Sequence, residues 1–201
     1  MNAQFPAFMR PFFAGTVWRK KTSSKVIYLT FDDGPVPEVT PLVLDILDRY
    51  GWKATFFNVG DNVRKYPELY QELINRGHQT GNHTFNHLAG FKYSTDEYVS
   101  NVRKAAEYIR SNLFRPPHGR ITRAQIKALK QDYRIIMWDV ITHDYNARLS
   151  REQVLKNVTR NLRKGSIVVF HDSVKARNHV LSVLPEAIEF WISNGYTFGL
   201  L

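Results

Sequence analysis

Between residues 25 and 198, short runs rich in β-branched and aromatic residues alternate with longer amphipathic segments. Nothing else in the chain narrows its fold so far, because parallel strands can be joined only through a crossover, usually a helix. The pattern predicts strands over residues 26–31, 54–59, 78–82, 113–115, 133–140, 166–170 and 196–198, and helices over 40–50, 67–76, 94–111, 122–131, 150–162 and 179–193. Pro41 suits a first helical turn and Gly51 a helix stop. Ser94 followed by Glu97 is a capping-box signature, and Pro116-Pro117 halts the strand before it. No linker, repeat or low-complexity tract interrupts the series. The expectation is one α/β domain over residues 25–201, a distorted (β/α) barrel with about seven parallel strands, fewer than a full eightfold barrel. An open doubly wound sheet is the alternative, but Asp-Asp-Gly-Pro follows the first strand where a phosphate loop would be glycine-rich.

Five polar clusters fall just after β runs: Asp32-Asp33, residues 83–87, residues 115–119, residues 139–144 and His171-Asp172. In a parallel barrel such positions share the rim where active sites collect. The chain has no cysteine, so thiolate metal sites, disulfides and a cysteine nucleophile are excluded, and any metal must sit on histidine and carboxylate.

At the end of the first strand, Asp32 and Asp33 are adjacent, and both can face one cavity only if the backbone turns, which Gly34-Pro35 is suited to do. His83 and His87 are four residues apart, which on a helical turn brings both imidazoles to one side. Two histidines with one of these carboxylates make a three-ligand set for a divalent cation with positions left open for water and substrate. Arg115 stands at a strand end before a rigid turn whose backbone N–H groups are candidates for stabilising an oxyanion. His171, after an apolar strand, is a candidate for proton transfer.

Together, TFDDGP, HTFNH, RPPHG, WDVITHDY and VFHD, in that order, resemble the five motifs of the polysaccharide deacetylase family, carbohydrate esterase family four. The likeness runs from about Val26 to Phe198. It implies that Asp33, His83 and His87 hold one divalent metal ion, most commonly zinc and sometimes cobalt, and that Asp32 is the base that activates water. It implies that Arg115 orients that base, that His171 is the general acid and that Asp144 tunes it. The backbone N–H at His118 takes the oxyanion-stabilising place, and Tyr145 and Val169 join it in binding substrate. The implied reaction is removal of acetyl groups from a carbohydrate such as chitooligosaccharide, peptidoglycan or xylan.

The chain departs from the family pattern where His118 replaces a common Tyr, Ile141 a common Asp and Tyr145 a common Trp. The loss of the acid at position 141 leaves Asp139 as a rival to Asp144 beside His171. Residues 1–24 are apolar but broken by Pro6, Arg10 and Pro11, so they read as a lid packed on the domain rather than a signal peptide or membrane span. A shallow membrane-surface contact beside Arg19, Lys20 and Lys21 is the alternative, and the expected location is the cytoplasm or the membrane periphery. The net charge of +10 is dispersed, without a nucleic-acid-binding signature. Two other functions remain open on this reading: an amidase of the same fold acting on a small non-carbohydrate amide, and a non-catalytic glycan-binding module.

Overall fold

The computed structural model describes residues 3–201, so Met1 and Asn2 of the expected lid lie outside the described residues. Its strands are β1 (Thr16–Val17), β2 (Val26–Asp32), β3 (Thr55–Asn58), β4 (Gln79–Asn82), β5 (Leu113–Phe114), β6 (Arg134–Ile136), β7 (Val140–Ile141), β8 (Ile167–His171) and β9 (Thr197–Phe198). Eight of them follow the order β1-β6-β5-β4-β3-β2-β8-β7, and β9 pairs with the first residues of β2. All these pairings are parallel. The helices are α1 (Thr40–Arg49), α2 (Gly60–Lys65), α3 (Pro67–Asn75), α4 (Thr95–Ala106), α5 (Arg123–Leu129), α6 (Arg151–Arg160) and α7 (Arg177–Ser193). The distorted α/β barrel expected from the alternation is present.

Three helix starts are capped as their sequences require. Ser94 with Glu97, Thr122 with Gln125 and Ser150 with Gln153 form reciprocal capping boxes at α4, α5 and α6. The helices then bury one apolar stripe each. In α1 that stripe is Val43, Leu44, Ile46 and Leu47, and in α7 it is Val180, Val183, Leu184, Ala187, Ile188 and Trp191. Both pack on Phe31, Phe56 and Phe170 of the central strands, where Phe31 and Phe56 stack at 4.8 Å. No helix among the described residues is long and apolar enough to cross a membrane.

The strand count differs from the expectation in two places. Residues 133–140, an unbroken apolar-rich run, make two strands rather than one: β6 lies beside β1 and β5, while β7 lies beside β8 at the far end of the strand order. Residues 137–139 therefore cross the seam of the curled sheet. The Met137 N–H donates to the Val17 carbonyl (2.7 Å) and the Asp139 N–H to the Ile167 carbonyl (2.9 Å). The second difference is β1, whose two residues are too short to carry a period. Its neighbour Trp18 is buried and stacks on Phe5 at 4.6 Å.

At the seam the Asp139 side chain is buried and accepts from Arg163 (Nε, 2.8 Å), Arg10 (Nη2, 3.0 Å) and the Ser166 hydroxyl (2.8 Å). Burial alone would raise its pKa, but these donors hold it below the ordinary value. Asp139→Ala is expected to destabilise the fold by about 2–3 kcal/mol, read as a lower urea midpoint. Because the folded pKa is depressed, the contribution is complete above the ordinary carboxylate pKa of about 3.9 and fades as pH falls through the lower folded value. A midpoint unchanged at pH 7 would contradict this role.

Candidate active site

Asp32 ends β2 in register with His171 of β8, and the chain turns at the next residue. The turn is made by Asp33 itself, in the left-handed region at φ 85°, before Gly34-Pro35 is reached. The Gly34 peptide beyond it is clamped from beneath by Asp172, whose Oδ1 accepts from the Gly34 N–H (3.0 Å) and Oδ2 from the Thr40 hydroxyl (2.6 Å). A Cβ on Gly34 would sit 1.9 Å from Asp172 Oδ2, so only glycine fits there. Burial and the Asp33 charge push Asp172 up to about 7, against the hydrogen bonds it accepts.

His83 and His87 follow β4 in a loop, not on the helical turn their spacing suggested. Left-handed residues at Thr84 (φ 63°) and His87 (φ 55°) fold the loop so that the two rings lie 5.1 Å apart between centroids. The start of α2, an element the sequence pattern did not reveal, holds this loop. The N–H groups of Gly60 and Asp61 donate to the carbonyls of Thr84 (2.9 Å) and Phe85 (3.0 Å). From the same helix Asn62 Nδ2 donates to the Asp33 carbonyl at 2.8 Å. One short helix thus ties together two loops that are remote in sequence, and Asn62 is a supporting residue that no motif announced.

Asp33, His83 and His87 each offer a ligand atom within 4.8 Å of the others. Asp33 Oδ1 is 3.1 Å from His87 Nε2 and 3.7 Å from His83 Nε2. His83 Nδ1 lies 2.7 Å from the Arg115 carbonyl, which can only accept, so the proton is on Nδ1 and the Nε2 lone pair is free to face a cation. Burial lowers His83 to about 4, keeping it neutral at pH 7. For Asp33, burial opposes ionisation, but the His87 hydrogen bond and the surrounding imidazoles hold the carboxyl well below the usual range. A neutral imidazole and an ionised carboxylate are the protonation states that a divalent cation needs, so the donor set fits one.

Asp32 Oδ2 lies 4.0 Å from His83 Nε2, next to this set but outside it. Its Oδ1 accepts from Arg115 Nη1 at 2.6 Å. Arg115 is fully buried, and it also donates to the Thr30 hydroxyl (2.8 Å) and to the carbonyls of Met137 (3.0 Å) and Ile136 (3.3 Å). Burial lowers its pKa against the Asp32 charge, yet a guanidinium starts so high that it stays charged.

Across the cavity, His171 Nδ1 is 2.7 Å from Asp144 Oδ1, and the His171 N–H donates to Asp144 Oδ2 at 2.8 Å. Burial disfavours the imidazolium, but Asp144, with Asp33 and Asp32 behind it, raises His171 to about 9. A cation bound at Asp33 would offset part of that carboxylate's share. Asp139, the rival partner, is engaged at the seam and does not reach His171. Tyr145 packs edge-on to His171 at 4.8 Å. His118 (φ 59°) stands 4.6 Å from the His87 ring, and its N–H donates to no group among the described residues. Val169 is fully buried and lies outside the cavity lining: it shares the face of β8 that carries His171 but sits two residues earlier, beside Thr30 and beneath the cavity floor.

Asp32, Asp33, His83, His87, His118, Tyr145 and His171 line one cavity of about 550 Å³. Gln4, Phe5 and Pro6, Trp138, Ile141, His143 and Ser173, and the cations Arg120 and Lys175 complete its wall. Asp33, Thr84, His87, His118 and His143 are the non-glycine residues with positive φ among the described residues, and four of the five line this cavity.

The polysaccharide deacetylase family model matches residues 19–134. The chain is 32% identical over 188 residues to a peptidoglycan-N-acetylglucosamine deacetylase of Bacillus cereus, covering 90% of this chain and 88% of the relative. It is 34% identical over 166 residues to a chitooligosaccharide deacetylase of Azorhizobium caulinodans, covering 79% of each. Other curated relatives are longer: the chain spans 56% of one from Bacillus cereus and 38% of one from Listeria monocytogenes. Among solved structures, the Bc1960 peptidoglycan N-acetylglucosamine deacetylase superposes with a TM-score of 0.90 at 30% identity, covering 98% of this chain and 95% of that one. With the matched model spanning more than half of the residues and the same sheet underneath, this chain belongs to the polysaccharide deacetylase family of hydrolases.

Proposed function

We propose that this protein removes acetyl groups, from nitrogen or from oxygen, of an acetylated carbohydrate, at a divalent metal held by Asp33, His83 and His87, zinc being the best match to a two-histidine, one-carboxylate set. The observation that carries the reading is a carboxylate and an imidazole, Asp32 and His171, on either side of that triad, each with its own charged partner. When bound, the cation supplies Lewis acidity, polarising the acetyl carbonyl and making water easier to deprotonate. Asp32, oriented by Arg115, takes the proton from the attacking water. The N–H of His118 donates to the oxyanion as the carbonyl carbon becomes tetrahedral. His171 then gives its proton to the leaving nitrogen, which departs as an amine rather than as a far less stable anion. Tyr145 covers this acid, and residues 3–24 act as a lid whose Phe5 and Pro6 close one wall.

The test is acetate release. Chelator-treated protein reloaded with zinc or cobalt should free acetate from acetylated chitooligosaccharides, peptidoglycan fragments or acetylxylan, and chelator-treated protein should not. Silence of the reloaded protein on all three would defeat the reading.

Asp144 sets the alkaline end of the working range. A raised His171 pKa keeps the acid protonated to higher pH, so Asp144→Asn is expected to lower kcat and to move the alkaline limb of the pH–kcat profile downward by about one unit or more. An alkaline limb that stays in place would show that His171 is not the titrating acid.

A further inference from the structure

The walls of the cavity carry two cations that the acetyl chemistry does not use. Arg120 and Lys175 both line it, both are exposed, and neither side chain makes a hydrogen bond or ion pair to another described residue. The carboxylates beside them are already engaged: Asp32 with Arg115, Asp33 with His87, and Asp144 with His171. Their placement follows from the sheet. Arg120 lies on the loop after β5 and Lys175 on the loop after β8, and in the order β5-β4-β3-β2-β8 the metal-ligand loops after β4 and β2 fall between them. The two cations therefore stand on opposite sides of the catalytic centre, and Trp138 and Tyr145 line the same cavity.

A neutral glycan gives these cations nothing that water does not. A chain bearing carboxylates on sugars flanking the reacting acetamido group would meet one on each side, and the guanidinium fork matches a carboxylate well. We propose that Arg120 and Lys175 form an anion-reading pair that selects a carboxylate-bearing acetylated glycan over a neutral one. This inference rests on the deacetylase reading and names the substrate class within it.

The experiment measures binding apart from turnover, using metal-loaded Asp32→Asn protein. The two probes are a tetrasaccharide alternating N-acetylglucosamine with the carboxylate-bearing N-acetylmuramic acid, and neutral tetra-N-acetylchitotetraose. The expected result is tighter binding of the anionic probe, with a preference that shrinks as salt rises. Adding Arg120→Ala and Lys175→Ala together should cut the ratio of affinities by about fivefold, and Arg120→Lys with Lys175→Arg should restore much of it. Equal binding of both probes, or a ratio untouched by the double alanine change, overturns the proposal. Because no step here needs hydrolysis, a wild-type protein that releases no acetate would sink the deacetylase reading without deciding this one.

Discussion

Asp32→Asn should lower kcat by about a thousandfold while leaving metal content and fold intact. Asparagine keeps the shape of the side chain, and its amide oxygen can still accept from Arg115 Nη1. What it loses is the ability to take a proton from water. Asp32 lies outside the set of ligand atoms formed by Asp33, His83 and His87, so bound metal should remain near one equivalent in the variant. Steady-state kinetics with metal analysis on the same preparation makes the check. A loss of less than about tenfold would mean that another group accepts the proton.

Arg115→Leu is the second large effect, and it should appear in stability as well as rate. The guanidinium starts beyond β5 and reaches the Thr30 hydroxyl and Asp32 of β2 and the carbonyls of Ile136 and Met137 at the end of β6, all without exposure to solvent. Removing it strands a buried carboxylate and several acceptors at once, for an expected loss of about 3–5 kcal/mol. Arg115→Lys should recover only part of this, since one ammonium cannot span the same acceptors. Urea unfolding and kcat should fall together for leucine. An unshifted midpoint would show that water replaces the guanidinium without penalty.

Much of the architecture was legible because it is written in local patterns. The runs ending at Phe31, Asn82 and Phe170 and the capping box at Ser94 depend on neighbours a few residues away. The strand-end position of Asp33, His83, Arg115 and His171 followed from the same patterns, and the five motifs supplied the likeness that sorted them into roles. What stayed hidden depends on distant partners. The clamp on Gly34 comes from Asp172, 138 residues later. The division of residues 133–140 depends on the seam, and the spacing of His83 and His87 resembled a helix because nothing nearby shows that Thr84 will turn left-handed. The six residues of α2 are stabilised by the loop they hold and carry little signal of their own.

The left-handed residues around the cavity also bear on how this protein can be improved. A side chain in that region costs about 1–2 kcal/mol relative to a relaxed backbone, and a β-branched one such as Thr84 is especially disfavoured. Glycine there would ease the backbone, so a laboratory search for heat resistance will be drawn to these sites. Thr84, however, accepts from the Leu88 N–H through its hydroxyl and sits in the chain between His83 and His87. Variants that gain melting temperature at such positions should loosen the catalytic geometry, and durable thermostability is better sought on the outer helices, far from the rim.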